Sequence, residues 1–348
     1  MPQTDLPGGN AASPQRTRDL RVAWFGARHF AHSLEGPGIA LQVFPQHQPA
    51  VFDWKHILER TGRAPDLLVL GDASLPPVFV GVEDFPCLTA IHCVDTHIHG
   101  WMEHYAQAFD LCTVSLKDHL GRFEGGALAA NQLAWLPAFS RETDKPAATA
   151  QSPLYDVLFV GAMQPDRNPG RIAFLGELKT RLAGLAIRTG DYTQLYPLAR
   201  IVLNEAERGD LNFRVFEALG CGSCLVTPDI GHGLRELFTP GKELALYPPG
   251  DAAACARVCE DLLRSPEKRA AMARAGLARV DRDHRARRRA SAFLDLVSGL
   301  DPDQPGRRRE KAAELRRKYL KRLYLHFAEV CDDKRVAQIY LNASRGEC

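Results

Sequence analysis

Residues 200–227 read RIVLNEAERGDLNFRVFEALGCGSCLVT, and this stretch decides the architecture. Arg200–Leu203 is a short apolar run, Phe213–Leu219 carries apolar residues at helical spacing, and Cys224–Thr227 is a second apolar run. Two short, continuously apolar strands joined by a helix form a unit whose strands lie parallel and buried on both faces. The first strand ends in Asn204, and Asp210, Asn212, Arg214 and Glu217 crowd eight residues around the helix start. Two readings are open from the residues alone. In one, Asp210 caps a helix beginning near Leu211, and Arg214 and Glu217, three apart, pair on its face. In the other, the helix N-terminus faces a cleft and offers free N–H groups to a phosphate, while Glu217 in the second turn accepts from ribose hydroxyls.

The alternation continues in both directions. Upstream, Asp156–Val160 is an apolar strand ending at Gly161, followed by a helical pattern over Ile172–Leu182 and a strand at Leu185–Arg188. Downstream come a strand at Leu244–Tyr247 and helices at Asp251–Arg264, Pro266–Val280 and Ala286–Val297. An earlier series has strands at Arg21–Phe25, Ala40–Phe44, Asp66–Leu70, Cys87–His92, Leu111–Val114 and Leu133–Leu136, with helices at Trp54–Thr61, Gly100–Ala108 and Lys117–Phe123. Between the two series, Arg141–Pro153 is polar, holds two prolines and has no period, so it reads as a linker. The pattern is that of an α/β protein in two halves. Ligands of such open sheets bind beyond the carboxyl ends of the strands, so a cleft between the halves is the default site.

Composition agrees. The 348 residues are 45% apolar and 25% charged, the range of ordinary globular domains, and the length suits about two of them. No apolar run of ~18 residues marks a transmembrane segment. Met1–Arg18 lacks the apolar core of a signal peptide and reads as a loose tail. Nine cysteines at irregular spacing read as reduced thiols of a cytoplasmic protein. The net charge of +2 hides an asymmetry: residues 264–348 hold 22 Lys/Arg against 12 Asp/Glu, and the preceding 263 hold 22 against 30. The segment 301–348 contains a basic helix with Leu315, Tyr319, Leu323 and Phe327 at four-residue spacing. It reads either as a helix docked on the body with a solvated basic face, or as a surface for peripheral contact with anionic lipid or an acidic partner.

Other motifs carry less. Asp95-Thr-His97-Ile-His99 follows a strand, and an extended backbone would put Asp95, His97 and His99 on one side. Such a trio suits zinc, as in a metal-dependent hydrolase, but no later strand supplies further ligands. Otherwise the trio faces the cleft, or its members cap and pack. Cys221 and Cys224 match Cys-x-x-Cys without a second pair or a thioredoxin context, which favours packing. The phosphate loop of nucleotide triphosphatases is absent, and Gly36-Pro-Gly38 lacks the third glycine of a dinucleotide fingerprint. The basic run Asp281–Arg289 has no interleaved aromatics, so nucleic acid is not an expected partner.

The run from Asn204 to Asp251 resembles the C-terminal region of CgeB-like glycosyltransferases, relatives of glycosyltransferase family 4. The resemblance rests on Asn204, Asp210–Ala218, Gly220–Gly222, Cys224–Thr227, Glu236-Leu237-Phe238 and Pro240-Gly241-Lys242. YDVLFVGAMQPDRNPGRIAFLGEL upstream and the helices to about residue 300 fit the same pattern, as does IHCVDTHIHGWMEHYAQAFDLCTVSLKDHLGRF more weakly. The resemblance implies the GT-B fold: two Rossmann-like domains facing a central cleft, here 19–145 for the acceptor and 150–300 for the nucleotide-sugar donor, plus the helical tail 301–348. It implies metal-independent transfer from a nucleotide-diphosphate sugar, a UDP-sugar favoured, commonly with retention, to an acceptor it does not name, with no other cofactor. It implies that Glu217 holds the ribose, that Arg167 or Arg171 neutralises the leaving diphosphate, and that Asp210 and Asn212 lie near the sugar or diphosphate. Gly161, Asn204 and Arg214 complete the donor side. Asp95, His97 and His99 would meet sugar or acceptor, with His97 nearest the chemistry. The wider group has a second Glu eight positions before the ribose Glu; here that position is Gly209, and Asp210 is the adjacent carboxylate. This departure leaves open a nucleotide-sugar-binding module without turnover.

Overall fold

The computed structural model describes residues 19–147 and 152–347. The loose tail expected at Met1–Arg18 and the middle of the expected linker lie outside the described residues.

The first half is a sheet of β1 (Leu20–Gly26), β2 (Ile39–Pro45), β3 (Leu67–Gly71), β4 (Leu88–Cys93), β5 (Leu111–Val114) and β6 (Leu133–Trp135) in the order β2-β1-β3-β4-β5-β6. The second holds β7 (Tyr155–Val160), β8 (Leu185–Arg188), β9 (Ala199–Leu203), β10 (Leu225–Pro228) and β11 (Ala245–Tyr247) in the order β11-β10-β9-β7-β8. All ladder pairs in both sheets are parallel. A parallel sheet needs cover on both faces, which is why the strands read as unbroken apolar runs. In β1 the alternation is visible: Val22 and Trp24 join one buried cluster, Ala23 and Phe25 the other. Strand order reverses between β1 and β3 and between β7 and β9, and each reversal opens a crevice at the carboxyl ends.

The expected boundary at residue 300 falls earlier. The helix Ala286–Ser298 packs Ala290, Phe293 and Val297 against Val22, Trp24 and Phe30 of the first half. The chain thus returns to the N-terminal half at about Arg285, and the tail stays there. Leu320, Leu323, Tyr324 and Phe327 belong to the same cluster as Phe25 and Leu68, each contributing roughly 1.5–3 kcal/mol by burial. Arg308 forms a buried ion pair with Asp110 and donates to the carbonyls of Phe85 and Cys87. Arg316 pairs with Glu83 and Asp84. The tail is therefore part of the first half's core. Arg309, Lys311, Arg317, Lys318, Lys321 and Arg322 are left on its exposed face.

Two chain crossings join the halves, and they run side by side. Ser140 bridges Arg285 in parallel fashion. The buried Arg285 guanidinium donates to Ser140 Oγ, to the carbonyls of Arg141 and Asp144, and to Asp281 at 2.6–2.8 Å. Gly220 lies against this knot: a Cβ there would sit 1.9 Å from Ser140 Oγ. The expected linker is thus pinned over its first residues, where Asp144 also accepts from Ser140 Oγ, the Arg141 N–H and the Tyr192 hydroxyl. Shorter differences are local. Lys117–Arg122 is a 3-10 helix, and the helix expected at Gly100–Ala108 is one turn, Met102–Tyr105, followed by a 3-10 turn.

Candidate functional site

On the C-terminal side the crevice is floored by the ends of β7 and β9. Arg214 rivets them. Its Nε donates to the Val160 carbonyl at 3.0 Å, and Nη1 donates to Asn204 Oδ1 at 2.8 Å and to the Glu205 carbonyl at 3.2 Å. The guanidinium lies 4.8 Å from the centroid of the Phe159 ring. Asn204 extends the rivet: its amide donates to Thr227 Oγ1 at 3.0 Å and its carbonyl accepts from the Tyr247 hydroxyl at 2.8 Å. Gly161 is glycine because a Cβ would approach Arg214 Nη2 to 2.9 Å. Arg214 does not pair with Glu217, as one sequence reading had it; its donors are taken up by the strand ends.

Arg167 and Arg171 separate clearly. Arg171 Nε donates to Glu205 Oε2 at 2.9 Å, and Nη1 donates to the Ala162 carbonyl at 3.2 Å. Glu205 is buried, which pushes its carboxyl up, and the Arg171 charge opposes that. Arg167 sits in the loop before the helix Pro169–Arg181, exposed, with no side-chain partner among the described residues. Of the two, Arg167 is the cation available to an incoming anion.

The helix Phe213–Gly220 is short and amphipathic, burying Val215, Phe216, Ala218 and Leu219. Its cap is Asn212, not Asp210; no side-chain capping bond is made, and Asn212 Oδ1 is buried without a partner. Glu217 faces outward from the second turn into a cavity of about 970 Å³ between the halves. Burial, with the Asp144 charge beside it, holds the Glu217 carboxyl up at about 7; Arg141 and Arg214 oppose this. The cavity walls across from Glu217 come from the loops after β1, β2 and β3, including Arg28, His29, Gln46, His47 and Ala73.

On the N-terminal side, Asp72 at the end of β3 organises the loops. Its carboxylate accepts from the backbone N–H groups of Ser74, Val94 and Asp95 at 2.7–2.9 Å. His29, in left-handed backbone at φ 37°, places Nε2 2.8 Å from the Asp72 carbonyl and stacks on Phe213 of the other half. Burial lowers its pKa, which favours the neutral ring.

The Asp95–His99 segment is a turn, not the extended run expected. The N–H groups of Ile98 and His99 both donate to the Asp95 carbonyl at 2.9 Å. The turn sends the imidazoles apart. His99 Nε2 lies 2.7 Å from Ser74 Oγ, whereas His97 faces His119 and His232, its Nδ1 buried and unpartnered. His119 and His232 meet edge to face at 5.1 Å across the cleft, and Asp118 accepts from the backbone N–H of His232 at 2.7 Å. Burial pushes His119 down to about 4, and Arg122 adds to this. Asp210 contributes charge to the same rim from the C-terminal half. The zinc trio is therefore not assembled, and no group of three or more His, Cys, Asp or Glu among the described residues is placed to hold a metal ion. Cys221 and Cys224 are buried thiols, each pushed up to about 12 by burial, which suits packing. No helix among the described residues is long and apolar enough to cross a membrane.

Of the residues named from sequence, Glu217 lines the interdomain cavity, Arg167 is exposed in the loop before the helix Pro169–Arg181, Asn212 caps the helix that carries Glu217, His97 and Asp210 lie near His232, and Asn204 and Arg214 tie the strand ends together. Arg28, His29, Gln46, Asp72 and His232, which the structure places at the cleft loops, were not singled out from the sequence. The Gly26 end of β1 was a usable signal for the first two, since it marks a carboxyl end at the sheet's reversal.

Residues 155–295 match a family model described as glycosyl transferase-like. No curated protein matches the chain. Among solved structures, it is similar to a sucrose-phosphate synthase (tll1590) from Thermosynechococcus elongatus, at 14% identity over 81% of this chain and 98% of that one, TM-score 0.57. It is similar to Alr3699/HepE of Anabaena in complex with UDP and glucose, at 15% identity over 81% and 100%, TM-score 0.56. It is also similar to the N-terminal domain of Candida albicans trehalose-6-phosphate phosphatase, at 10% identity over 84% and 99%, TM-score 0.54. The chain has the GT-B fold: two parallel α/β domains across a cleft, closed by C-terminal helices.

Proposed function

We propose that this chain is a glycosyltransferase of CgeB-like, family 4-related type, moving a hexose from a nucleotide-diphosphate sugar, a UDP-sugar by preference, to an acceptor hydroxyl. The observation that carries this is Glu217. It projects into the interdomain cavity from the half that matches a glycosyl transferase-like model, and in this reading its carboxylate accepts hydrogen bonds from the two ribose hydroxyls. The bound UDP of the Anabaena neighbour supports a nucleotide donor.

In this reading the acceptor oxygen bonds to the anomeric carbon while the bond from that carbon to the β-phosphate oxygen breaks. The electron pair leaves with the nucleoside diphosphate, and the hydroxyl proton passes to the departing phosphate oxygen. The group needing stabilisation is that phosphate, and a guanidinium fixed beside it matches its geometry. Arg167 supplies the free charge. Arg171, already paired to Glu205, holds the loop. Asn212 and the first N–H groups of its helix line the diphosphate path, and Asp210 and His97 approach the sugar from opposite halves, with Asp95 and His99 shaping the acceptor-side loop. No metal ion takes part, the anomeric configuration is retained, and the protein works in the cytoplasm. The exposed cations of the tail make peripheral contact with anionic lipid.

A binding module without turnover is the second reading, and Gly209 is the observation behind it. Its φ of +72° is a conformation that disfavours a glutamate, so the loop has no carboxylate there. Incubation with a panel of nucleotide sugars, with and without EDTA, decides between them. The expected result is a thermal shift with UDP species and EDTA-insensitive release of UDP. Binding without release, whatever acceptor is supplied, supports the module. Stoichiometric zinc with EDTA-abolished activity overturns both.

A further inference from the structure

The interdomain cavity is walled on its N-terminal side by the loops after β1 and β2. Three side chains define that wall. Both amide atoms of Gln46, Nε2 and Oε1, are buried and make no hydrogen bond. An amide withdrawn from water with its bonds unmade costs roughly 1–3 kcal/mol per group, which a ligand that both donates and accepts would recover. Neighbouring hydroxyls of a sugar ring have that character. Beside Gln46, the exposed side chains of Arg28 and His47 line the same cavity and make no hydrogen bond or ion pair among the described residues. No carboxylate pairs with them among the described residues: Glu142 is bound to Arg287, Glu35 faces His32, and Glu217, across the same cavity, makes no ion pair with either. The result is a hydrogen-bonding pair next to unpaired positive charge.

We propose that Arg28, Gln46 and His47 form the acceptor subsite, and that the acceptor is a polyhydroxylated compound bearing an anionic group, a phosphate or a carboxylate. This rests on the glycosyltransferase reading. The side chains that serve the donor in that reading, Arg167, Asn212 and Glu217, come from the C-terminal half. The three here come from the loops after β1 and β2, so they face the donor, as a second substrate must. Gln46 reads the hydroxyls. Arg28 holds the anion with a planar fork of donors, and His47 adds a further donor.

The test is binding by the full chain of glucose 6-phosphate, glucuronate, glucose and inorganic phosphate, each with and without saturating UDP, by calorimetry and thermal shift. Glucose 6-phosphate or glucuronate should add to the UDP shift, and whichever binds identifies the anion; glucose and inorganic phosphate alone should bind at least about tenfold more weakly. Arg28→Ala and His47→Ala should weaken the anionic sugar by at least about tenfold and leave UDP affinity unchanged. Gln46→Leu should weaken the sugars and leave inorganic phosphate unchanged. The first two residues are exposed and unpartnered, so the fold should survive their loss, and unchanged melting temperatures check this. If UDP binds and neither anionic sugar adds to it, the subsite is wrong and the donor reading stands. If Arg28→Ala weakens UDP as much as the sugar, Arg28 serves the donor phosphates and the subsite is wrong. If UDP does not bind but an anionic sugar binds through Arg28, the glycosyltransferase reading fails and the subsite survives as a binding site. If neither UDP nor an anionic sugar binds, both fail.

Discussion

Replacing Glu217 by Gln should stabilise the protein and weaken its hold on nucleotide, and the stability gain should depend on pH. Burial and the Asp144 charge hold the carboxyl at about 7, against an ordinary value of 4.5. Between those values the folded chain keeps a proton that the unfolded chain releases. Stability therefore falls as pH rises through that window, and the loss is complete above 7. A shift of this size corresponds to about 3 kcal/mol. Gln carries no charge and escapes the loss. Its advantage should be under about 1 kcal/mol at pH 5 and about 3 kcal/mol at pH 8. With ~2.1 cal/mol/K of unfolding entropy per residue, that upper value raises the melting temperature by roughly 4 °C. Removing the charged acceptor should weaken UDP by roughly 10–100-fold above pH 7. The parent's UDP affinity should itself climb as pH rises through 7, as the carboxyl ionises. Thermal melts of parent and variant from pH 5 to 8, with and without UDP, test all of this. A stability difference that does not change with pH refutes the electrostatic argument, and equal UDP affinity refutes the ribose assignment.

Other substitutions probe other parts. Arg308→Ala strands the buried Asp110 charge and should cost about 3–5 kcal/mol in chemical denaturation, while Arg308→Met with Asp110→Leu should recover most of it. Arg285→Ala removes the knot joining the two crossings and should cost about 3 kcal/mol, with faster proteolysis near residues 141–147 as the second readout. Arg167→Ala should lower kcat by roughly 10–100-fold with little change in donor KM, whereas equal kcat removes it from the leaving-group role. Reversing Lys318, Lys321 and Arg322 to Glu should abolish sedimentation with vesicles containing anionic lipid, at roughly 1 kcal/mol per cation, if the tail meets membranes; unchanged sedimentation rejects that contact.

The sequence by itself determined the elements and their class. Runs such as Asp156–Val160 and Asp66–Leu70 are apolar at consecutive positions, and only a strand buried on both faces needs that. The helix carrying Glu217 was legible for a similar reason: its inward stripe leaves Glu217 pointing out. Tertiary structure alone decided which surface each element covers. The helix Ala286–Ser298 has the periodicity of its predecessors in the second half, yet it covers the first half's sheet. Period records that a face is buried, never against what. Arg167 and Arg171 look alike in sequence, and only the fold of the Glu205 loop pairs one and frees the other. Asp95–His99 alternates as a strand would, but Asp72, more than twenty residues away, takes the N–H groups of Val94 and Asp95 and turns the segment. Gln46 carries no local signal at all. Its buried, unpaired amide exists because β2 ends beside β1 at the edge of the cleft, and strand order is a property of the whole chain.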